Sequence, residues 1–103
     1  MRIAQEAEED LAELVDYISQ HDSAERANFV LGKLLTLCER LEQHPERGYF
    51  LPELRALGIK THREVHFKPY RLIYEVIGRE LFILLIVDGR RSLQAILERR
   101  LVR

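Results

Sequence analysis

The sequence predicts one α+β domain over residues 1–103, in which an antiparallel helical hairpin packs on a small antiparallel β-sheet with a short carboxy-terminal helix. Apolar residues recur at three- and four-residue steps through the first part of the chain, and at strand-like spacing in the second half. The length suits one core, and 47% hydrophobic and 32% charged residues are typical of a folded protein with an ionic surface.

Two amphipathic helices are predicted, over residues 6–20 and 23–43. Each has an apolar stripe at helical spacing, and the first has a largely acidic opposite face. Asp22, with Glu25 three residues later, resembles a capping arrangement for the second helix, which ends before Pro45. The short connection makes the helices antiparallel neighbours. The apolar stripes are Ala7, Leu11, Leu14, Val15 and Ile18, and then Ala27, Val30, Leu31, Leu34, Leu37, Cys38 and Leu41.

The second half changes from helical to strand-like spacing. Proline and glycine interrupt residues 45–58, which we predict to be irregular. Strands are predicted over residues 59–67, 70–77 and 81–87. The third strand is continuously apolar, which fits a central strand covered on both faces. The alternation in the first strand places Ile59, Val65 and Phe67 on the same face of the strand.

Turn and cap residues mark the ends of these strands. Gly78 is placed for the first central position of a two-residue hairpin loop. Ser92 is the predicted N-cap of a last helix, and residues 2–5 form a predicted edge strand. The apolar residues of the last helix are Leu93, Ile96, Leu97 and Leu101.

Several classes of protein are excluded by what the sequence lacks. Cys38 is the only cysteine, so an internal disulfide is impossible, and no paired spacing suggests a zinc site. Its place on the helical stripe predicts a packed core residue. No apolar run resembles a signal peptide, and the longest, residues 81–87, is too short to cross a membrane. We therefore expect a cytoplasmic protein with no metal, no cofactor and no membrane partner.

Net charge is −1, but the two halves differ in sign. Residues 1–54 carry 5 basic and 12 acidic side chains, whereas residues 55–103 carry 11 basic and 5 acidic. Such asymmetry predicts either a negatively charged partner for the second half or attraction between the two halves of the fold. Charge alone leaves both interpretations open.

The spacing of the histidines argues against a metal site. His62 and His66 are four apart in a predicted strand, a separation of roughly 13 Å, so they cannot share a metal ion and are expected on a solvated face. His21 and His44 fall in helix-end loops. The acidic residues of the first helix likewise have the spacing of a solvated helix face.

Arginines are the strongest candidates for a binding site. Arg63 and Arg71 lie on adjacent predicted strands, and Arg90 and Arg91 directly follow the apolar strand, so sheet pairing could gather them at one side. A guanidinium group is a planar fork suited to carboxylate or phosphate, although such residues also serve as ordinary surface charge. Two tyrosines beside Arg71 could stack on bases, but core packing is the commoner role of such rings. They are Tyr70 and Tyr74.

Several segments occur in an order that is characteristic of one family. They are residues 7–11 (AEEDL), 44–48 (HPERG), 63–65 (REV), 70–76 (YRLIYEV) and 88–92 (DGRRS). In this order the chain resembles the RelE/ParE superfamily of bacterial toxins over nearly its whole length. The resemblance implies two helices on a small antiparallel sheet, and a type II toxin encoded beside an antitoxin. Such an antitoxin wraps a flexible segment around the toxin.

Two activities occur in that superfamily. RelE-like members cut messenger RNA in the ribosome with basic residues and, in many, a carboxy-terminal tyrosine. Arg71 and Arg91 fall where two of the RNA-cleaving arginines would fall, and His66 is the candidate substitute for a missing group. However, Leu97 occupies the tyrosine position and has no titratable group, and Glu64 stands in the strand that carries lysines in such RNases.

ParE-like members lack that catalytic set and inhibit DNA gyrase, which traps cleaved DNA. The Gly89-Arg90-Arg91 turn before a short helix resembles this branch more closely, so we interpret the chain as a gyrase inhibitor without catalytic residues. Arg90 and Arg91 are predicted to bind the target, with Arg63 and Arg71 in support. The expected partners are gyrase and a ParD-like or other cognate antitoxin, docked beside the helical hairpin. The ribosome and its mRNA are the alternative target.

Overall fold

The computed structural model describes residues 1–101 and has the predicted α+β architecture. Its elements are β1 (Arg2–Ile3), α1 (Gln5–His21), α2 (Ala24–Gln43), β2 (Tyr49–Phe50), α3 (Pro52–Arg55), β3 (His62–Phe67), β4 (Tyr70–Ile77), β5 (Glu80–Asp88) and α4 (Leu93–Leu101). The strand order is β1-β5-β4-β3-β2; β1 is parallel to β5 and the other neighbours are antiparallel. No helix within residues 1–101 is long and apolar enough to cross a bilayer.

The sheet separates two apolar clusters. The α1–α2 hairpin packs on one face, and α3 and α4 pack on the other. The pairing register shifts between Ile73↔Leu85 and Tyr74↔Ile83, so β5 contains one extra residue at this point. The irregularity lets Ile83 and Ile86 face the hairpin while Leu85 faces α4. β5 is therefore covered on both faces, as predicted.

The helical hairpin is confirmed, with one correction at its connection. Ser23, and not Asp22, is the N-cap of α2, because the Ser23 Oγ accepts a hydrogen bond from the Arg26 N–H at 3.0 Å. Asp22 instead ends α1, where its N–H donates to the Ile18 carbonyl at 2.8 Å. The capping residue thus lies one position later than the sequence pattern indicated.

The segment predicted to be irregular contains β2 and α3. Gly58 follows α3 with φ of +77°, and the N–H of Ile59 donates to the Leu54 carbonyl at 2.9 Å. This hydrogen bond holds Ile59 against α3 and outside β3, which begins three residues later. The prediction that the strand starts at residue 59 is therefore wrong, as is the shared face of Ile59 with Val65 and Phe67.

The other turn and cap residues are confirmed. Gly78 joins β4 to β5 with φ of +63°, and the Ser92 Oγ accepts from the Ala95 N–H at 3.3 Å. The predicted edge strand is the short β1. On α4 the residues Leu93, Ile96 and Leu97 are buried, while the Leu101 side chain lies outside the described part of the chain.

Three residues that were considered for chemistry belong to the core. Cys38 is buried, and burial together with the nearby Glu42 carboxylate raises the pKa of its thiol to about 11. Tyr70 packs partly against the hairpin cluster, and Tyr74 is fully buried. Core packing is thus confirmed for these side chains.

Candidate target-binding surface

Arg71 on β4 is held by two carboxylates. Its Nε and Nη2 donate to the two oxygens of Glu64 at 2.8 and 2.7 Å, and Nη1 and Nη2 donate to Glu53 on α3 at 3.0 and 3.1 Å. These bonds raise the pKa of Arg71, and the same guanidinium lowers the pKa of Glu53. The side chain of Glu64 is only 4% exposed, so it depends on Arg71 for its charge compensation.

His66 is the second residue bound to Glu64. Its Nε2 contacts Glu64 Oε1, and its side chain is about half exposed. His62, at the other end of β3, lies beside the hydroxyl of Thr61, with 2.8 Å between Oγ1 and Nδ1. No group of three or more His, Cys, Asp or Glu side chains placed to hold a metal ion occurs within residues 1–101.

Arg63 lies on the opposite face of the sheet from Arg71. Its Nη1 donates to the carbonyls of Glu46 and Gly48 at 3.2 and 2.9 Å, and its guanidinium carbon lies 4.2 Å from the ring centroid of Phe50. Consecutive residues of a strand point to opposite faces, so Arg63 cannot share a surface with the side chain of Glu64 and its partner Arg71. The expectation that the sheet gathers all four arginines at one side is therefore wrong.

Arg90 and Arg91 lie in the turn between β5 and α4, and both are exposed. Arg90 forms a bidentate pair with Asp88, whose Oδ1 accepts from the Arg90 Nε and backbone N–H, both at 2.9 Å. Hydrogen bonding to this guanidinium lowers the pKa of Asp88. Within the described residues, the Arg91 side chain makes no hydrogen bond or ion pair. We call residues 88–91 the arginine turn.

Two grooves flank the arginine turn. One, which we call the proline groove, has a volume of about 430 Å³ and includes Arg71, His66 and Arg90 in its lining together with Pro52 and Pro69. The other, the helix groove, has a volume of about 410 Å³ between α1 and the turn. Arg90 lines both, whereas Arg91 lines only the second of them. The helix groove is lined by Asp10, Glu13, Leu14, Tyr17, Ile86, Val87, Asp88, Arg90 and Arg91.

Sequence reasoning missed one ion pair that joins the two ends of the chain. Arg100 on α4 donates to both oxygens of Asp10 on α1, at 2.6 and 3.2 Å, and lies 3.3 Å from Glu6. Asp10 also accepts the N–H of Ile86 at 3.1 Å, so it is not part of a solvated helix face. The opposite charges of the two halves were the only signal of this pairing, and they did not identify the residues.

Comparison with known proteins gives the class and then the family. A chain of the chromosomal ParDE toxin–antitoxin system from P. aeruginosa has a similar fold, with a TM-score of 0.69 at 20% identity over 84% of this chain and 91% of that chain. The class is therefore a small α+β domain of the ParDE fold. A family model for the ParE toxin of the type II toxin–antitoxin system parDE matches residues 1–93.

The chain belongs to this ParE toxin family, because the match covers most of its length. This confirms the resemblance to the ParE-like branch. Comparison with curated protein sequences gave no match.

Proposed function

We propose that this ParE-family toxin inhibits DNA gyrase by binding it through the arginine turn, that it acts in the cytoplasm, and that a cognate antitoxin neutralises it. The contrast among the four predicted arginines carries the proposal. Arg63 and Arg71 are bonded to protein oxygens across the sheet, whereas Arg90 and Arg91 are exposed on a short turn, where, among the described residues, Arg90 pairs only with the neighbouring Asp88. Exposed guanidinium groups can meet a partner without the loss of ion pairs that stabilise the sheet.

The surroundings of Arg71 favour binding over RNA cleavage. A phosphate that recruited Arg71 would have to compete with Glu53 and Glu64, and loss of the bonds to Glu64 would leave a buried carboxylate with less compensation. Leu97, at the position of the family's catalytic tyrosine, is buried in the cluster under α4 and offers no proton donor or acceptor. Arg63 and Arg71 then support the target site only by stabilising the sheet that carries the arginine turn.

A ribosome-dependent mRNA endonuclease is the second candidate function. One observation favours it, since Arg71 and His66 line the same groove and could act together on a phosphodiester. The third candidate, Arg91, lines the helix groove instead. Cleavage would therefore require a rearrangement that brings these three side chains together.

For the antitoxin we propose a docking site on the outer face of the helical hairpin. Phe29 and Leu35 of α2 are exposed apolar side chains, and the cationic groups of Arg26 and Lys33 lie 5.2 and 5.5 Å from the Phe29 ring centroid. An apolar antitoxin segment with acidic residues would match this chemistry. The antitoxin would order such a segment on binding.

The test is plasmid supercoiling by gyrase, run beside ribosome-programmed mRNA cleavage, with the purified chain and a double charge reversal, R90E/R91E. We expect the natural sequence to block supercoiling and accumulate linear DNA with the message intact. The double variant should require at least about tenfold more protein for the same inhibition, equivalent to about 1.4 kcal/mol of binding free energy. Addition of the antitoxin should restore supercoiling.

A matched control is K60E/R79E, which makes the same change in charge. Lys60 and Arg79 are exposed and lie at the opposite end of the β3–β5 strands from the arginine turn. This control should inhibit gyrase as the natural sequence does. Codon-positioned mRNA cuts with unaffected gyrase would instead support the endonuclease, and undiminished inhibition by R90E/R91E would exclude the arginine turn as the contact.

A further inference from the structure

The helix groove combines an apolar floor with a cationic wall. Leu14 of α1 and Ile86 of β5 line its base, and Tyr17 stands on the α1 side with 61% of its surface exposed. Arg90 and Arg91 face it from the arginine turn. Tyrosine and arginine are the residue types that most often supply binding energy when they line such a groove at a protein interface.

Tyr17 is held in position before any partner binds. Its ring stacks on His21 with 4.1 Å between centroids and 19° between planes. The His21 Nδ1 in turn lies 3.0 Å from the Tyr17 carbonyl oxygen, a geometry in which Nδ1–H donates. An exposed aromatic ring that is already ordered loses less side-chain entropy on binding.

Arg90 is likewise fixed before binding. Its Nε donates to Asp88 Oδ1 at 2.9 Å and its Nη2 donates to Asp88 Oδ2, and these two bonds determine the direction of the side chain. Asp88 is a positioning residue here, because it uses one edge of the guanidinium and leaves other donors for a partner. Arg91, beside it, has no side-chain partner within residues 1–101.

The charges on α1 decide which kind of partner fits. Asp10 and Glu13 line the groove opposite the two arginines. Asp10 is compensated by Arg100, but Glu13, with Glu9 and Asp16, forms an exposed acidic face on the same helix. A nucleic acid backbone carries a charge at every phosphate, so a strand laid along the groove would approach these carboxylates. A protein segment can present one carboxylate to the arginines and an apolar side chain to Tyr17.

We propose that the helix groove binds a short segment of a protein target in which a carboxylate lies next to an apolar side chain, with Tyr17 as the apolar contact. This inference rests on the proposed function of the arginine turn. It adds Tyr17 to the contact surface and specifies the chemistry of the partner segment. Duplex DNA is the competing ligand that the charges of α1 disfavour.

The experiment measures growth arrest on induced expression, and binding of the full chain to gyrase without DNA and to a labelled duplex without gyrase. Y17A is compared with Y49A, since Tyr49 is an exposed tyrosine on the edge strand β2, away from the groove. We expect Y17A to weaken gyrase binding at least about tenfold and to relieve growth arrest, while Y49A stays within about twofold. The expected affinity for the duplex is negligible at physiological salt.

Other results would separate the groove inference from the gyrase proposal. Strong, salt-dependent duplex binding that Y17A leaves unchanged would overturn the protein-segment inference, as would equal growth arrest by Y17A and Y49A. If the natural sequence arrests growth but does not bind gyrase, the gyrase proposal fails, and loss of arrest in Y17A alone would still support the groove. A natural sequence that does not arrest growth would overturn both. Circular dichroism melts confirm that Y17A is folded.

Discussion

At the scale of single residues, the contact between Gly48 and Tyr74 fixes the loop before β2. The Tyr74 hydroxyl accepts from the Gly48 N–H at 2.9 Å and donates to the Pro45 carbonyl at 2.7 Å. A Cβ at residue 48 would lie 2.6 Å from that hydroxyl and 2.7 Å from the Glu64 carbonyl oxygen. Since both neighbours are buried or part of the backbone, G48A should reduce the unfolding free energy by about 2 kcal/mol.

Urea denaturation measures this change, and Gly32 supplies the control. A Cβ at residue 32 meets no atom within 4 Å, and the position is inside α2. G32A should therefore stabilise the protein by about 0.5–1 kcal/mol, because alanine loses less backbone entropy in a helix. Equal midpoints for G48A and the natural sequence would show that the loop is not fixed by this contact.

At the scale of elements, the long periodic segments could be predicted and the short ones could not. The helices α1 and α2 and the strand β4 could be predicted because their side-chain period shows which face is buried, and β5 because it is a continuous apolar run of strand length. Two elements of two and four residues, β2 and α3, contain too little periodicity to be recognised. The register shift in β5 could not be predicted for another reason. A continuously apolar run does not show which of its side chains face which side of the sheet.

The candidate site also has a part that could be predicted from the sequence and a part that could not. The arginine turn follows directly from chain order, so Arg90 and Arg91 were predicted to lie together and do. The surroundings of Arg63 and Arg71 depend on strand register and on α3, which the sequence did not reveal. For that reason their carboxylate and carbonyl partners were missed.

The ion pair between Glu53 and Arg71 attaches α3 to the sheet and makes this attachment pH-dependent. Hydrogen bonding to Arg71 lowers the pKa of Glu53 below its ordinary value of 4.5. A carboxyl whose pKa is depressed by folding stabilises the protein above its unfolded pKa, and this contribution is lost as pH falls through the folded value. E53Q should therefore be less stable than the natural sequence by about 1 kcal/mol at pH 7, a difference that shrinks below about pH 4.5.

Urea denaturation at several pH values tests this expectation. The control is E98Q, because Glu98 is exposed on α4 and forms no ion pair within the described residues. Its stability difference from the natural sequence should be small and should not vary with pH in this way. A difference for E53Q that is constant from pH 7 to pH 3 would contradict the attachment of α3 through this pair.

At the scale of the whole molecule, part of the charge asymmetry is satisfied internally. Arg71–Glu53 and Arg100–Asp10 each join a basic residue of the second half to an acidic residue of the first. Attraction between the halves, one of the two interpretations of the sequence, is thus confirmed for these pairs. The arginine turn lies outside these two pairs, so Arg90 and Arg91 remain exposed to a partner.

The pair of Arg100 and Asp10 predicts how the first and last helices depend on each other. The Asp10 side chain is 11% exposed and binds both Arg100 and the N–H of Ile86, so R100A would leave a largely buried carboxylate with one donor. Bonding to Asp10 raises the pKa of Arg100. We expect R100A to lower the unfolding free energy by about 2 kcal/mol, and R99A, at the exposed neighbouring position, to change it by less than about 0.5 kcal/mol.

Hydrogen exchange of the α4 amides, measured beside urea denaturation, locates the effect. If the pair holds α4 on the sheet, R100A should accelerate exchange in α4 more than in α2, because α2 packs on the other face. R99A should leave both rates unchanged. Uniform acceleration through both helices would mean that the pair stabilises the whole fold cooperatively, and unchanged rates in R100A would show that the buried apolar side chains of α4 hold it without the ion pair.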